Sequence, residues 1–184
     1  MKNLAKIAFP FILILIGCSA TRNSEVKRID FIDTNLFGIK SYLAFEKSNH
    51  SKDESYDHFV EISEGIYPNF NKKKLKKESK RFIREDKSKF ISEANYYYDH
   101  DNNVKLIFYE WNYNGSNEDF KNEYDSITNL LNQKLGPYDY IHIEKDTTDR
   151  TQRDEIKWTT SETKAYLFRF KNRFNQIRLA VYKD

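Results

Sequence analysis

From Ser116 onward the chain permits few architectures. Phe120, Tyr124, Ile127, Leu131 and Leu135 recur at helical spacing and lay one continuous apolar stripe along a helix over 116–135. Ser116 with Asp119 three residues on is close to a capping box, and Gly136-Pro137 stops the helix. Four short runs follow, 138–144, 155–160, 165–171 and 176–183. In each, apolar and polar residues alternate, with polar turns between them, the pattern of an antiparallel meander.

Upstream, Ala94–Tyr98 and Val104–Tyr113 read as a hairpin around Asp99-His100-Asp101-Asn102-Asn103. Its second arm is apolar on both faces, with Val104, Leu106 and Phe108 on one and Ile107, Tyr109, Trp111 and Tyr113 on the other. A strand of that kind belongs in the covered middle of a sheet. Ile29 and Phe31, then Ile39, Ser41, Leu43 and Phe45, alternate like strands, and a further strand is expected over 57–63. Leu75, Phe82, Ile83 and Phe90 predict a surface helix over 71–90, with Asn71 as its cap. The fold class expected is α+β, an antiparallel sheet with two helices packed against it.

The start of the chain sets location. Lys2 and Lys6 precede Ile7–Ile16, ten residues without a polar side chain, which is the layout of an export signal. Ten helical residues rise ~15 Å against a hydrocarbon core of ~30 Å, so the run is too short to span, and Pro10 interrupts it. The run ends in Leu15-Ile16-Gly17-Cys18, which resembles the lipobox of bacterial lipoproteins. The resemblance implies cleavage before Cys18, a diacylglyceryl group on its sulfur and an acylated (palmitate-type) amino terminus. Ser19, where aspartate would imply inner-membrane retention, implies the outer membrane. The expected organisation is a signal peptide over 1–17, a lipidated cysteine and tether over 18–25, and one domain over 26–184. Seven flexible residues span ~15 Å, so the domain would lie close to the bilayer on its periplasmic side.

Residues 117–183 resemble a small α+β module of uncharacterised bacterial lipoproteins. Its marks are Leu131, the Lys134-Leu135-Gly136-Pro137 stop and Trp158 on a strand. That resemblance implies a fold and no activity.

Charge and cysteine content narrow the partners. Two of the 31 Lys and Arg leave with the leader, which brings the basic count to within one of the 28 Asp and Glu. The sequence pI near 8.7 is therefore no sign of a nucleic-acid partner, and none is expected. Cys18 is the single cysteine, so once it is lipidated the domain has no thiolate or disulfide to use. Packing must hold it, and 13 Tyr, 14 Phe and 2 Trp supply the area.

Candidate chemistry is sparse. Asp99, Asp101 and Asn103, with Glu110 eleven residues after Asp99, match calcium-loop positions, but Val104 stands where the turn needs glycine, and a polar hairpin turn is the better reading. His50, His58, His100 and His142 have no metal-site spacing. Asp53, Glu54, Asp57 and His58 read as a solvated loop. No metal or cofactor is expected. Lys72, Lys73, Lys74, Lys76 and Lys77 open a basic run that reads as a solvated helix face or as a contact for anionic headgroups, at ~1 kcal/mol per residue. Tyr96, Tyr98, Tyr109, Trp111 and Tyr113 could share one face of the hairpin, either to grip a sugar or peptide or to be covered by a helix. The function expected is a non-catalytic, lipid-anchored envelope protein that binds a protein or envelope component. The alternatives are an enzyme on envelope glycan or lipid, and an immunity lipoprotein that inhibits a toxin.

Overall fold

A computed structural model describes residues 32–55, 74–85, 90–113, 115–144, 152–171 and 175–183. The signal peptide, Cys18, the tether, the strands expected at Ile29–Phe31 and 57–63, and Asn71, Lys72 and Lys73 lie outside the described residues.

The elements run α1 (Ile39–Ser48), β1 (Lys52–Asp53), β2 (Lys80–Glu85), β3 (Phe90–Tyr98), β4 (Val104–Tyr113), α2 (Asn117–Leu135), β5 (Tyr140–His142), β6 (Gln152–Thr159), β7 (Lys164–Lys171) and β8 (Gln176–Tyr182). All eight strands form one sheet in the order β1-β2-β3-β4-β8-β7-β6-β5, and every neighbouring pair is antiparallel. The class is α+β, with the sheet dominant. β4 takes a middle place, as its two apolar faces require. One departure is a register irregularity beside Tyr98: Tyr97 pairs with Leu106 but Tyr98 with Val104. The extra residue, Lys105, turns Val104 over to the face that carries Tyr98 and Ile107.

Both helices lie on that face and share one core with it. α2 buries Phe120, Tyr124, Ile127 and Leu131, each contributing about 1.5–3 kcal/mol. Its first turn is capped by the Ser116 hydroxyl, which accepts from the Asp119 amide at 3.2 Å. Its end is fixed by Gly136, at φ 86° and ψ −173°, a conformation open essentially to glycine alone. Gly136→Ala is expected to cost about 1–3 kcal/mol, read as a lower urea midpoint with an unchanged slope. An unchanged midpoint would mean that the turn relaxes freely.

Two expected elements are corrected. Residues 39–45 form the start of a helix, not a strand. α1 buries Ile39, Tyr42 and Glu46, a spacing of three then four, and the last of these is a carboxylate that hydropathy patterning assigns to solvent. In the described part of 71–90 the expected helix is also absent. Leu75 makes an isolated bridge to Asp99, and 80–85 is strand β2, paired to β1 and β3. Two of its charged residues are drawn into ion pairs: Arg81 with Glu93 at 2.7 Å, and Arg84 with Glu46.

The opposite face carries a second cluster, Leu75, Tyr97, Leu106, Tyr166, Phe168, Ala180 and Tyr182. Cations lie across its rings, with Arg153 4.7 Å from the Phe168 centroid, Lys157 4.6 Å from Tyr166 and Arg178 5.6 Å from Phe170. Long basic side chains thus cover aromatic area with their stems while adding cation–π attraction.

Candidate functional site

Polar side chains converge at two places under the helices. In the first, α1 brings Glu46, fully buried, over β2 and β3. Its carboxylate accepts from Arg84 Nε at 3.1 Å, from Arg84 Nη2, from the Tyr96 hydroxyl at 2.5 Å and from Ser51 Oγ at 2.6 Å. Tyr96 also accepts from Arg84 at 3.0 Å and stacks on Tyr42 at 4.7 Å. Tyr42 donates to Asp33 at 2.8 Å, and the Tyr109 hydroxyl accepts from the Asp33 amide at 3.0 Å. Burial, before any neighbour, pushes the hydroxyls of Tyr42, Tyr96 and Tyr109 far above the ordinary phenol value. Burial opposes the Arg84 charge, but Tyr96 and Glu46 outweigh it and raise its pKa. Neutral phenols around a satisfied ion pair give no base and no nucleophile; the cluster fastens α1 to the sheet.

In the second, Asp154 of β6 is buried between Arg169 at 2.8 Å and Lys171 at 3.1 Å on β7. The Glu144 amide donates to its other oxygen at 3.2 Å, and Arg169 lies 4.3 Å from the Tyr124 ring centroid. This network joins α2, β6 and β7.

The expected sites fare differently. Tyr96, Tyr98, Tyr109, Trp111 and Tyr113 do share one face, and all five are buried beneath the helices. As a platform for sugar or peptide they are corrected: covered rings cannot stack on a ligand. Lys74 and Lys77 are exposed, but Lys76 donates to Asn102 at 2.8 Å and sits over the Tyr98 ring, and no helix carries the three together. The Asp99 carboxylate closes its own turn, accepting from the amides of Asp101 at 3.0 Å and Asn103 at 2.8 Å. Against partial burial, the Asn103 amide and Lys105 hold that carboxyl below the usual range. Glu110 is carried up the strand to Arg178, at 2.8 Å, away from any calcium geometry. Among the described residues, no group of three or more His, Cys, Asp or Glu is placed to hold a metal, and no helix is long and apolar enough to cross a membrane.

A half-open recess of about 290 Å³ lies between the β6–β7 turn, 160–164, and Tyr182–Lys183. Its threonines are engaged in the turn: the Thr160 hydroxyl donates to the Thr163 carbonyl at 2.9 Å, and Thr163 donates to the Thr34 carbonyl at 3.0 Å.

The outstanding surface is elsewhere. β5 ends the sheet, and all three of its residues are exposed. Tyr138, Tyr140, Ile141 and Ile143 are four of the seven large apolar side chains left in solvent among the described residues, Ile143 at 62 %. Sequence reasoning placed a strand here but not at an edge. The available signal was that Tyr140–Ile143 is apolar to both sides and carries no Lys, Arg, Asp or Glu.

Set against family models, curated proteins and solved structures, the chain finds no match in any of the three.

Proposed function

We propose that the protein is a non-catalytic lipoprotein, anchored through Cys18 on the periplasmic side of the outer membrane, whose domain docks a protein or envelope component along β5. The observation that carries this reading is the group Tyr138, Tyr140, Ile141 and Ile143, standing in solvent on and beside the last strand of the sheet, which among the described residues pairs on one side only, with β6. Exposed apolar groups of this kind mark interaction sites, and an open strand edge offers a row of backbone donors and acceptors to a partner. The internal use of the polar clusters supports binding over catalysis: Glu46, Asp154 and Glu110 each face an arginine.

Two measurements test it. Palmitate labelling of the full chain is expected to disappear in Cys18→Ala, with the protein moving from the membrane to the soluble fraction. An unlabelled wild-type chain sinks the anchor. Ile141→Asp with Ile143→Asp should abolish partner retention while leaving the melting temperature within about 2 °C, since both side chains lie in solvent. Undiminished retention moves the docking surface off β5.

A further inference from the structure

We infer that the end of the sheet carrying the 99–103 turn rests on an anionic phospholipid surface, through Lys40, Lys74 and Lys77 with Phe37 on the same end. This rests on the anchoring reading and deepens it, because it fixes which end of the domain faces the bilayer.

Two separate segments are fastened to that turn. Gly38 bridges Asn103, and the Ile39 amide donates to the Asn102 carbonyl at 2.9 Å, which sets Phe37 and Lys40 beside it. Leu75 bridges Asp99, and the Lys76 amide donates to the Tyr98 carbonyl at 3.0 Å, which brings Lys74 and Lys77 to the same place. The chain coming from Cys18 enters the fold at this end as well. The Ile32 carbonyl accepts from Lys134, in the last turn of α2, at 2.6 Å. Two residues on, the Thr34 carbonyl accepts from Thr163 in the β6–β7 turn. An anchor on Cys18 therefore draws this end toward its bilayer. The far end, where α2 starts, is acidic instead: Glu118 and Asp119 lie in its first turn and Asp125 is exposed beyond them, against Lys121.

The positive charge here is not used up inside the fold. Residues 37–40, 74–78 and 99–105 hold Lys40, Lys74, Lys76, Lys77 and Lys105 against Glu78, Asp99 and Asp101. Asp99 is matched to Lys105 at 3.3 Å, which leaves four lysines facing two acids. Lys76 donates to a neutral oxygen, Asn102 Oδ1, and Glu78 accepts from a neutral donor, the Tyr98 hydroxyl, so neither charge is cancelled there. Lys40, Lys74 and Lys77 are exposed and meet no acid among the described residues. Phe37 is 54 % exposed on a fixed backbone: its amide donates to the Tyr42 hydroxyl at 3.0 Å and its carbonyl accepts from Val104 at 3.1 Å. Lysines that reach lipid phosphates beside an aromatic ring that enters the acyl boundary are the composition of an interfacial contact. The acyl chains supply the affinity, and tethering makes the contact intramolecular, so it has only to orient the domain. β5 lies along the side of the sheet, and this orientation leaves its edge open to a partner.

Cys18 is the only cysteine, and with its sulfur acylated a single introduced cysteine takes a single dye. The full chain, lipidated in cells, is labelled at His100→Cys on the turn or at Asn122→Cys near the start of α2, both exposed positions. Each is reconstituted into vesicles of phosphatidylcholine alone or with an equal part of phosphatidylglycerol, carrying an acceptor dye on the headgroups. The ratio of energy transfer from His100→Cys to that from Asn122→Cys should be about twofold higher with phosphatidylglycerol than without, and added salt should lower it. Lys40→Glu with Lys74→Glu and Lys77→Glu should remove that increase and leave the melting temperature within about 2 °C, since all three side chains lie in solvent. A ratio that ignores phosphatidylglycerol, or an increase that survives the triple substitution, overturns the contact. In both results the chain still floats with the vesicles, so the anchor stands. A chain that floats with neither kind of vesicle fails the anchor itself and this inference with it, so the two failures are told apart.

Discussion

Replacing Arg84 by alanine is expected to cost about 3–5 kcal/mol of folding stability, because it strands the Glu46 carboxylate under α1 without a countercharge. Glu46 is wholly out of solvent, and the donors left to it, Ser51 Oγ and the Tyr96 hydroxyl, are neutral. For a domain of this size each kcal/mol is about 2–4 °C in melting temperature, so the midpoint should fall by roughly 6–20 °C. Removing both charges, as Arg84→Met with Glu46→Leu, should recover most of the loss, since apolar replacement of a buried pair is often neutral or stabilising. The double-mutant cycle then gives the coupling directly. Arg81→Ala is the contrast. Its pair with Glu93 is partly exposed, and the cost should stay near ~1 kcal/mol. An Arg84→Ala chain that melts within two degrees of wild type would show that water reaches Glu46 and that the pair is not what fastens α1.

That same carboxylate explains why the first half of the chain was hard to read. Ile39, Ser41, Leu43 and Phe45 alternate, and alternation is the signature of a strand. The buried face of α1 is instead Ile39, Tyr42 and Glu46, and Glu46 becomes a core residue only because Arg84, 38 positions away, neutralises it. The converse error lies at 80–85. Lys80, Arg81, Arg84 and Glu85 made a thin apolar stripe look like a solvated helix, whereas two of those charges are satisfied by long-range partners. Local pattern fails where a charge is matched across the fold.

Where burial is apolar, the sequence was legible. Phe120, Tyr124, Ile127 and Leu131 marked α2, and Ser116 and Gly136 marked its ends to within a residue. β4 announced its central position by being apolar on both faces. β5 shows the limit of that rule. Tyr140 and Ile141 also face opposite ways, yet the strand lies at the end of the sheet. Two apolar faces report that a strand is to be covered, and do not say whether its own chain does the covering. The aromatic face of the hairpin was legible in membership but not in use, because only the path of α1 and α2 decides that those rings are core.

Trp158→Ala should be the other large loss, again about 3–5 kcal/mol, and it tests how the β5 edge is built. The indole is 1 % exposed on β6, beneath α2. Its Nε1 donates to Asn132 Oδ1 at 2.9 Å, and the Tyr138 ring meets it edge-on at 6.3 Å. One side chain therefore fixes three elements: β6, the last turns of α2 and the residues that lead into β5. The losses can be separated by degree. Asn132→Ala leaves the indole in place with its N–H unpaired and should cost about 1–3 kcal/mol. Trp158→Phe keeps a ring for Tyr138 and should fall between that value and the alanine loss. Urea unfolding followed by circular dichroism gives the order. Amide exchange gives the location: in Trp158→Ala, protection should drop further at Tyr140–His142 than in β4, because β5 loses the contact that seats its entry while β4 keeps both neighbours. Equal loss of protection in the two strands would mean that the indole supports only the core as a whole. The geometry of the β5 edge would then come from its pairing with β6 alone.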